Sequence, residues 1–165
     1  MAGLKALAAR ISLIALIAYL VLSYGFLITQ AHGQDMFPAV KDGDLCIVYR
    51  LGIMKLTGER LSKQDVITYQ VDGKRYFGRV IAVSGDLVIY NGNGGFTVNG
   101  SAQAGEILFP TFPENGDTDP FRVPDNTVYV LGDYRTQTHD SRTFGPIPLS
   151  SVEGKLITIL RRRGL

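Results

Sequence analysis

The sequence predicts a mainly β protein that begins with a single membrane-spanning helix. Three observations support this prediction: an uncharged apolar run near the N-terminus, short β-branched and aromatic runs between turn residues, and no long helical period beyond residue 32. The 165 residues suffice for one folded domain and an anchor. A net charge of +2 is too small to predict nucleic-acid binding.

The apolar run covers residues 11–31 and contains no charged residue. Because about 20 apolar residues cross a hydrocarbon core of ~30 Å, the run is predicted to be a transmembrane anchor. A cleaved signal peptide is the alternative, but its apolar core would be only about 7–15 residues long. Lys5 and Arg10 precede the run. The positive-inside rule therefore predicts a cytoplasmic tail over 1–10 and an extracytoplasmic β domain over 32–165.

Seven runs beyond the anchor are predicted to be strands because they are rich in β-branched and aromatic residues. They are Leu45–Tyr49, Val66–Val71, Arg75–Val83, Leu87–Tyr90, Phe96–Val98, Thr127–Leu131 and Leu156–Leu160. Turn residues such as Asp72-Gly73 separate them, which favours antiparallel pairing. Residues 51–63 are predicted to be a loop or a short helical turn, and the proline-rich residues 105–125 an exposed loop. The single cysteine, Cys46, excludes an intramolecular disulfide and is predicted to be a buried strand residue.

A motif directly after the anchor reads Gly-Gln-Asp-Met-Phe-Pro-Ala-Val-Lys-Asp-Gly-Asp. It resembles the nucleophile box of the type I signal peptidases, membrane-bound serine proteases that remove leader peptides from exported proteins. That family has a serine, then Met-x-Pro, then a short gap and Gly-Asp. Met36, Pro38, Gly43 and Asp44 match this pattern, but Asp35 stands at the serine position.

A second motif resembles the family's Lys-Arg-Val-Ile-Gly pattern, in which Gly-Asp follows after two residues. The matching residues, aligned without a gap, are Arg79, Val80, Ile81, Gly85 and Asp86. This alignment assigns the family's catalytic lysine position to Gly78, so the resemblance implies that both catalytic groups are replaced.

Two further motifs extend the resemblance toward the C-terminus. Thr97-Val98-Asn99-Gly100 is similar to the family's Val-Asn-Gly hairpin. The segment after the strand that ends at Leu131 resembles Gly-Asp-Asn-Arg followed by Ser-x-Asp-Ser-Arg, with Tyr134 in place of the asparagine and Thr138 in place of the first serine. The residues predicted to support the site here are Gly132, Asp133, Arg135, Thr138, Asp140, Ser141 and Arg142.

Catalysis in this family uses a serine hydroxyl that a neutral lysine amine activates. Gly78 has no side chain to act as a base, and a carboxylate at Asp35 would oppose the negative charge of the oxyanion. We therefore predict a catalytically inactive member of the family. The alternative is an active signal peptidase with an unusual site, in which Lys41 or Lys74 serves as the base.

Two other mechanisms are less consistent with the sequence. An aspartic mechanism would need a second carboxylate beside Asp35, from Asp133 or Asp140. His139 lies next to Asp140 in the chain, but triads are assembled by the fold rather than by neighbouring residues, so His139 is predicted to be an exposed loop residue. No metal-ligand spacing is present, and no cofactor is predicted.

The resemblance also implies a peptide-binding groove. By position, Met36, Pro38 and Phe77 would border it, although the same residues are equally consistent with core packing. A groove without catalytic groups could bind an extended peptide by strand addition without cutting it. The implied partners are the lipid bilayer and an exported or surface protein, such as a pilus subunit or a pilus-assembly enzyme. The oligomeric state is not predicted.

Overall fold

The computed structural model describes residues 2–103, 110–113, 116, 118–136 and 139–161. The chain begins with helix α1, Ala2–Gly25, which has 24 residues. At 1.5 Å per residue the helix is about 36 Å long, which is enough to cross a hydrocarbon core. Its apolar surface is not buried against the rest of the protein, so α1 is suited by length and composition to span a membrane.

The helix and the predicted anchor over 11–31 have different bounds. The helix begins before the apolar run and ends at Gly25, and the next residues form strand β1, Phe26–Gln30. Strand β1 pairs with β2, Leu45–Arg50, in antiparallel register, with Ile28 opposite Ile47. Apolar composition does not distinguish these residues from the helix, because the pairing with a distant strand decides their conformation.

The remaining elements form two antiparallel sheets in the described part of the chain, which confirms the predicted fold class. The larger sheet has the order β1-β2-β11-β3-β4-β9-β10, and the smaller sheet β7-β6-β5-β8. Their further strands are β3 Val66–Val71, β4 Lys74–Val83, β5 Leu87–Tyr90, β6 Phe96–Val98, β7 Ser101–Ala102, β8 Phe121–Arg122, β9 Thr127–Leu131, β10 Ile147–Pro148 and β11 Val152–Leu160. Two short helices complete the fold, α2 Leu51–Leu56 and α3 Ser141–Phe144.

All seven predicted strands are confirmed, although β11 begins at Val152, before the predicted start. The helical turn predicted within residues 51–63 is α2. The exposed loop predicted over 105–125 is confirmed for most of the residues that the structure describes there, with exceptions. Phe121–Arg122 form a strand, and Thr111 is only 1% exposed because its hydroxyl binds a buried arginine described below.

Three clusters of buried side chains hold the sheets together. The first core cluster contains Leu51, Met54, Ile67, Tyr69, Val80, Val128, Val130, Ile147 and Val152. The second core cluster contains Ile81, Ala82, Val88, Tyr90, Phe96, Val98, Val123, Tyr129 and Leu131. The third core cluster contains Ala31, Met36, Val40, Cys46 and Phe77, so Cys46 is buried as predicted. The third cluster anchors the loop that carries Asp35.

Candidate active site

The loop between β1 and β2 carries Asp35 and is held at both ends. At its base, the backbone N–H of Ala31 donates to the carbonyl of Asp44 at 2.8 Å, and the N–H of Gly43 donates to the carbonyl of Ala31 at 2.9 Å. Within the loop, the Met36 side chain is 2% exposed because it packs in the third core cluster. The loop therefore presents Asp35 half-buried at a fixed place beside the sheet.

Asp35 lies against the segment that follows β9. The backbone N–H of Tyr134 donates to the Asp35 carbonyl at 2.9 Å, which joins two of the motifs recognised in the sequence. Burial raises the pKa of the Asp35 carboxyl, while the nearby His139 opposes this rise and Asp140 adds to it. No hydrogen bond reaches the Asp35 carboxylate from the residues that the structure describes. The site therefore holds a carboxyl with a raised pKa and, among those residues, no side chain that is hydrogen-bonded to it as a base would be.

Gly78 lies on β4, and the space beside it is filled. A Cβ built at Gly78 would lie 2.3 Å from Val130 Cγ1 and 3.3 Å from Tyr69 Cε1. The first distance is far inside van der Waals contact, and a β-branched valine on a strand has few other rotamers. A lysine at position 78 would therefore require the first core cluster to repack.

Tyr69 is the side chain that the sequence reasoning missed. It is fully buried on β3, and its hydroxyl has no hydrogen-bond partner among the described residues. Burial, with the nearby charges of Asp140 and Asp35, raises the pKa of Tyr69 far above its ordinary value. The hydroxyl stays protonated at neutral pH and does not act as a base, so Tyr69 fills space beside Gly78 without replacing the lysine's chemistry.

Asp140 is the most strongly hydrogen-bonded group at the site. Its side chain is 1% exposed and accepts the backbone N–H of Gly132 at 3.0 Å. It also accepts the backbone N–H, Nε and Nη2 of Arg142, at 3.0, 2.9 and 2.7 Å. The neighbouring Ser141 hydroxyl accepts the backbone N–H of Val130 at 2.9 Å. These residues act as a scaffold that fixes the segment after β9 to the strand beside Gly78.

A second ion pair joins the same segment to β4. Arg79 Nη2 donates to Asp133 Oδ2 at 2.6 Å, and Arg79 Nε donates to Asp133 Oδ1 at 2.8 Å. Arg79 therefore binds Asp133 and not Asp35. Asp133 and Asp140 are bound by Arg79 and Arg142, and neither is paired with Asp35 as an aspartic mechanism would require.

Arg135 connects the site to the smaller sheet. It is 4% exposed and donates through Nη1 to Gln103 Oε1 at 3.0 Å and to Thr111 Oγ1 at 2.8 Å. The guanidinium also lies 5.8 Å from the centre of the Phe96 ring, and burial lowers the pKa of Arg135. The last of the predicted motif residues, Thr138, lies outside the described residues.

The three predicted groove residues have different environments. Met36 and Phe77 are buried, at 2% and 8% exposure, and both belong to the third core cluster. Pro38 is exposed on the loop. Of the two interpretations, core packing describes Met36 and Phe77, and only Pro38 lies on the surface.

An aromatic pair next to Asp35 forms the exposed surface of the site. The rings of Phe37 and Tyr134 meet edge to face with their centres 6.5 Å apart, and Phe37 is 40% exposed. Lys41 Nζ lies 5.8 Å from the centre of the Phe37 ring. In the sequence, the aromatic pair is indicated only by Tyr134, which stands where the family has an asparagine.

The other candidate groups form no hydrogen bond with Asp35 in the described part of the chain, although His139 lies near enough for its charge to oppose the rise that burial causes in the pKa of that carboxyl. His139 is exposed, and its ring centre is 6.2 Å from that of Phe144. Neither Lys41 nor Lys74 forms a hydrogen bond with Asp35 in the part of the chain that is described. Among those residues no group of three or more His, Cys, Asp or Glu side chains is placed to hold a metal ion.

Comparison with known proteins agrees with the four motifs. The family model described as "Signal peptidase, peptidase S26" matches residues 4–160. The chain is 31% identical to a signal peptidase I of Bacillus caldolyticus over 137 residues, which cover 75% of this chain and 73% of that protein. It is 28% identical to an "Inactive signal peptidase IA" of Staphylococcus aureus, covering 74% and 72%. A crystal structure of a signal peptidase I from Enterococcus faecalis is 27% identical, with a TM-score of 0.49, and covers 60% of this chain and 98% of that one. The chain belongs to the signal peptidase family of peptidase S26.

Proposed function

We propose that this chain is a membrane-anchored, non-catalytic signal peptidase homologue that binds an exported protein without cutting it. The observation that carries the proposal is the filled space at Gly78, where a Cβ would lie 2.3 Å from Val130 Cγ1. The similarity to a protein named "Inactive signal peptidase IA" supports the non-catalytic part of the proposal.

The chemistry of peptide cleavage fails at two points. At Asp35, attack by a carboxylate would give a mixed anhydride, and a negative charge there would oppose the oxyanion. At Gly78 there is no amine, and the adjacent Tyr69 hydroxyl is too weak an acid and base to replace it at neutral pH. The remaining carboxylates, Asp133 and Asp140, are held by Arg79 and Arg142.

Binding needs a fixed surface, and the aromatic pair beside Asp35 provides one. Phe37 and Tyr134 offer two aromatic rings at the surface, and the Asp35 carboxylate beside them attracts a peptide amine or a basic side chain. An extended peptide could supply both kinds of group to this surface while its main chain pairs with a strand edge. We propose exported surface proteins as the partners, including pilus subunits or the enzymes that assemble them.

The proposed location is the membrane, with the N-terminus in the cytoplasm. Helix α1 is long enough to span, and Lys5 and Arg10 lie at its start. Large apolar side chains are also exposed on β1, which follows α1 directly, and on the strands β2 and β11 that pair beside it. They are Ile28, Leu45, Ile157 and Leu160. An apolar surface beside an anchor helix is suited to contact with lipid.

The test is a binding measurement on the full-length chain in detergent. A fluorescent peptide from an exported precursor, spanning an Ala-x-Ala site, is titrated and its anisotropy is followed. The double variant Phe37→Ala with Tyr134→Ala should bind at least about fivefold more weakly, because each aromatic contact contributes ~0.5–1.5 kcal/mol beyond its buried area. Leu56→Ala, which removes an apolar side chain that is 82% exposed on α2, is the control and should bind normally. Unchanged binding by the double variant would overturn the proposed surface.

A further inference from the structure

We infer that the pocket between the end of α1 and helix α2 binds the phosphate of an anionic phospholipid headgroup. This junction pocket has a volume of about 600 Å³ and is lined in part by Tyr24, Arg50, Ile53, Lys55 and Leu56. It lies apart from the Asp35 site. The inference rests on the proposed position of α1 in the membrane and adds a lipid ligand to it.

The pocket brings together two cations, Arg50 and Lys55. Arg50 ends β2, and its Nε donates to the carbonyl of Phe26, the first residue after α1, at 3.3 Å. Lys55 lies in the last turn of α2. Neither side chain forms an ion pair with a residue that the structure describes.

One acid, Glu153, also lines the pocket. Its hydrogen bond from Arg75, with a smaller contribution from the charge of Arg50, holds the pKa of its carboxyl below its ordinary value. Glu153 Oε1 accepts from Arg75 Nη2 at 2.8 Å and from Gln70 Nε2 at 2.8 Å. The pocket therefore has a net positive charge. Guanidinium and ammonium groups are the side chains that bind phosphate most strongly.

Helix α2 places an apolar and a cationic side chain next to each other on its exposed side. Leu51 and Met54 point into the first core cluster, at 7% and 0% exposure. On its outer side, Leu56 is 82% exposed next to Lys55. An apolar side chain in the acyl region with a cation in the headgroup region is the arrangement of interfacial helices.

The position of the pocket relative to α1 determines how deep the pocket lies in the membrane. Tyr24 lies in the last turn of α1, and Gly25 leads into β1 without a linker, so the pocket is at the level where α1 ends. Tyrosine is enriched at this level of membrane proteins because its ring is amphipathic. A lipid phosphate in the leaflet that faces the β domain would lie at the same depth as Arg50 and Lys55.

Lipid binding is tested by native mass spectrometry of the full-length chain in detergent with added phosphatidylglycerol. The variant Arg50→Gln with Lys55→Gln should lower the lipid affinity about fivefold per removed cation. The charge-matched control is Lys74→Gln with Arg122→Gln, two exposed cations away from the pocket, and should retain the affinity. Equal affinity of both variants and the unmodified chain, or an equal loss in both variants, would overturn the proposed site.

Depth is tested with spin labels in phosphatidylglycerol vesicles. Labels at Leu56→Cys and Ile14→Cys should both be accessible to oxygen dissolved in lipid, while a label at Asp72→Cys on the distant hairpin should be accessible to a water-soluble quencher. Cys46 is buried and burial raises its pKa to about 11, so it does not compete for the label. If the label at position 56 is accessible to the water-soluble quencher while the label at position 14 is accessible to oxygen in lipid, the headgroup site is contradicted and the anchor is not. Labels in water at both positions would contradict the anchor as well.

Discussion

The two halves of the site differ in what they retain. The segment after β9 keeps its ion pairs, with Asp140 bound to Arg142 and Asp133 bound to Arg79. Across the site, Asp35 and Gly78 occupy the positions where the family resemblance places the catalytic serine and lysine, and they provide neither a hydroxyl nor an amine. The hydrogen-bonded scaffold is in place, while these two positions carry other chemical groups.

This difference indicates that the scaffold serves the fold and the surface independently of catalysis. Asp140 fixes the backbone of Gly132, and Ser141 fixes that of Val130, so losing either would disturb β9. Asp35 and Gly78 make no comparable contribution. A protein that only binds needs the scaffold residues Asp140 and Ser141. A protease needs these residues and also catalytic groups at positions 35 and 78.

The largest expected effect is the loss of the scaffold through Asp140→Ala. The substitution leaves a buried Arg142 charge and the N–H of Gly132 without their acceptor, and breaking such a buried pair costs ~3–5 kcal/mol of the free energy of unfolding. Urea unfolding of the full-length chain in detergent measures this loss. Asp125→Ala, at an exposed turn position, should change the free energy by less than ~0.5 kcal/mol. If the two variants are equally stable, the scaffold does not stabilise the fold.

The next effect concerns the space beside Gly78. Gly78→Ala should destabilise the fold by ~1–3 kcal/mol because its Cβ overlaps Val130 Cγ1. In combination with Val130→Ala the cost should be smaller than the sum of the two single changes, since the clash is removed. A double-mutant cycle in urea measures this coupling. Gly52→Ala, where nothing lies within 4 Å, is the control. Additive effects would show that the space is not filled.

A smaller effect is expected from the charge of Asp35. Burial raises the pKa of this carboxyl above its ordinary value of 3.8, so the folded protein loses stability as the pH rises through that higher pKa. Asp35→Asn removes the ionisation. The variant should melt about 1–3 °C higher at pH 7 and no higher near pH 3, where Asp35 is protonated in both folded and unfolded chains. An increase in melting temperature that persists unchanged at pH 3 would contradict burial of the charge as its cause.

The smallest expected effect is that of Asp35→Ser on peptide cleavage, which should remain undetectable. A serine hydroxyl alone has no base to activate it, so no product should appear in a long incubation with an exported precursor. Adding Gly78→Lys should not restore cleavage either, unless Val130→Ala makes space for the side chain. Product from Asp35→Ser alone would show that another base, such as Lys41, reaches position 35.

Much of the fold could be predicted from local patterns. Apolar and β-branched runs between turn residues identified seven of the eleven strands in the described residues, but not the two-residue strands β7, β8 and β10. The resemblance of the Gly-Asp motifs to those of the family drew attention to Asp35 and Gly78. Strand β1 was missed because an apolar strand directly after an apolar helix has the same composition as the helix. Its conformation depends on pairing with β2, which no local pattern contains.

The details of the site depend on contacts between distant residues. The approach of Tyr69 and Val130 to Gly78 is made by three separate strands, and nothing near Gly78 in the sequence indicates it. The burial of Met36 and Phe77 in one cluster likewise follows from how the Asp35 loop folds onto the sheet. By resemblance, the motifs assign the family's catalytic positions to Asp35 and Gly78, but they do not indicate the side chains that fill the space around them.

The most direct test of the account is a cleavage assay of the full-length chain in lipid. An exported precursor with an Ala-x-Ala site is incubated beside an active signal peptidase, and the products are identified by mass. The account predicts that the active enzyme yields the mature protein and that this chain yields none, even after long incubation. Cleavage at the expected bond by this chain would contradict the account and show that its Asp35 site has retained proteolytic chemistry.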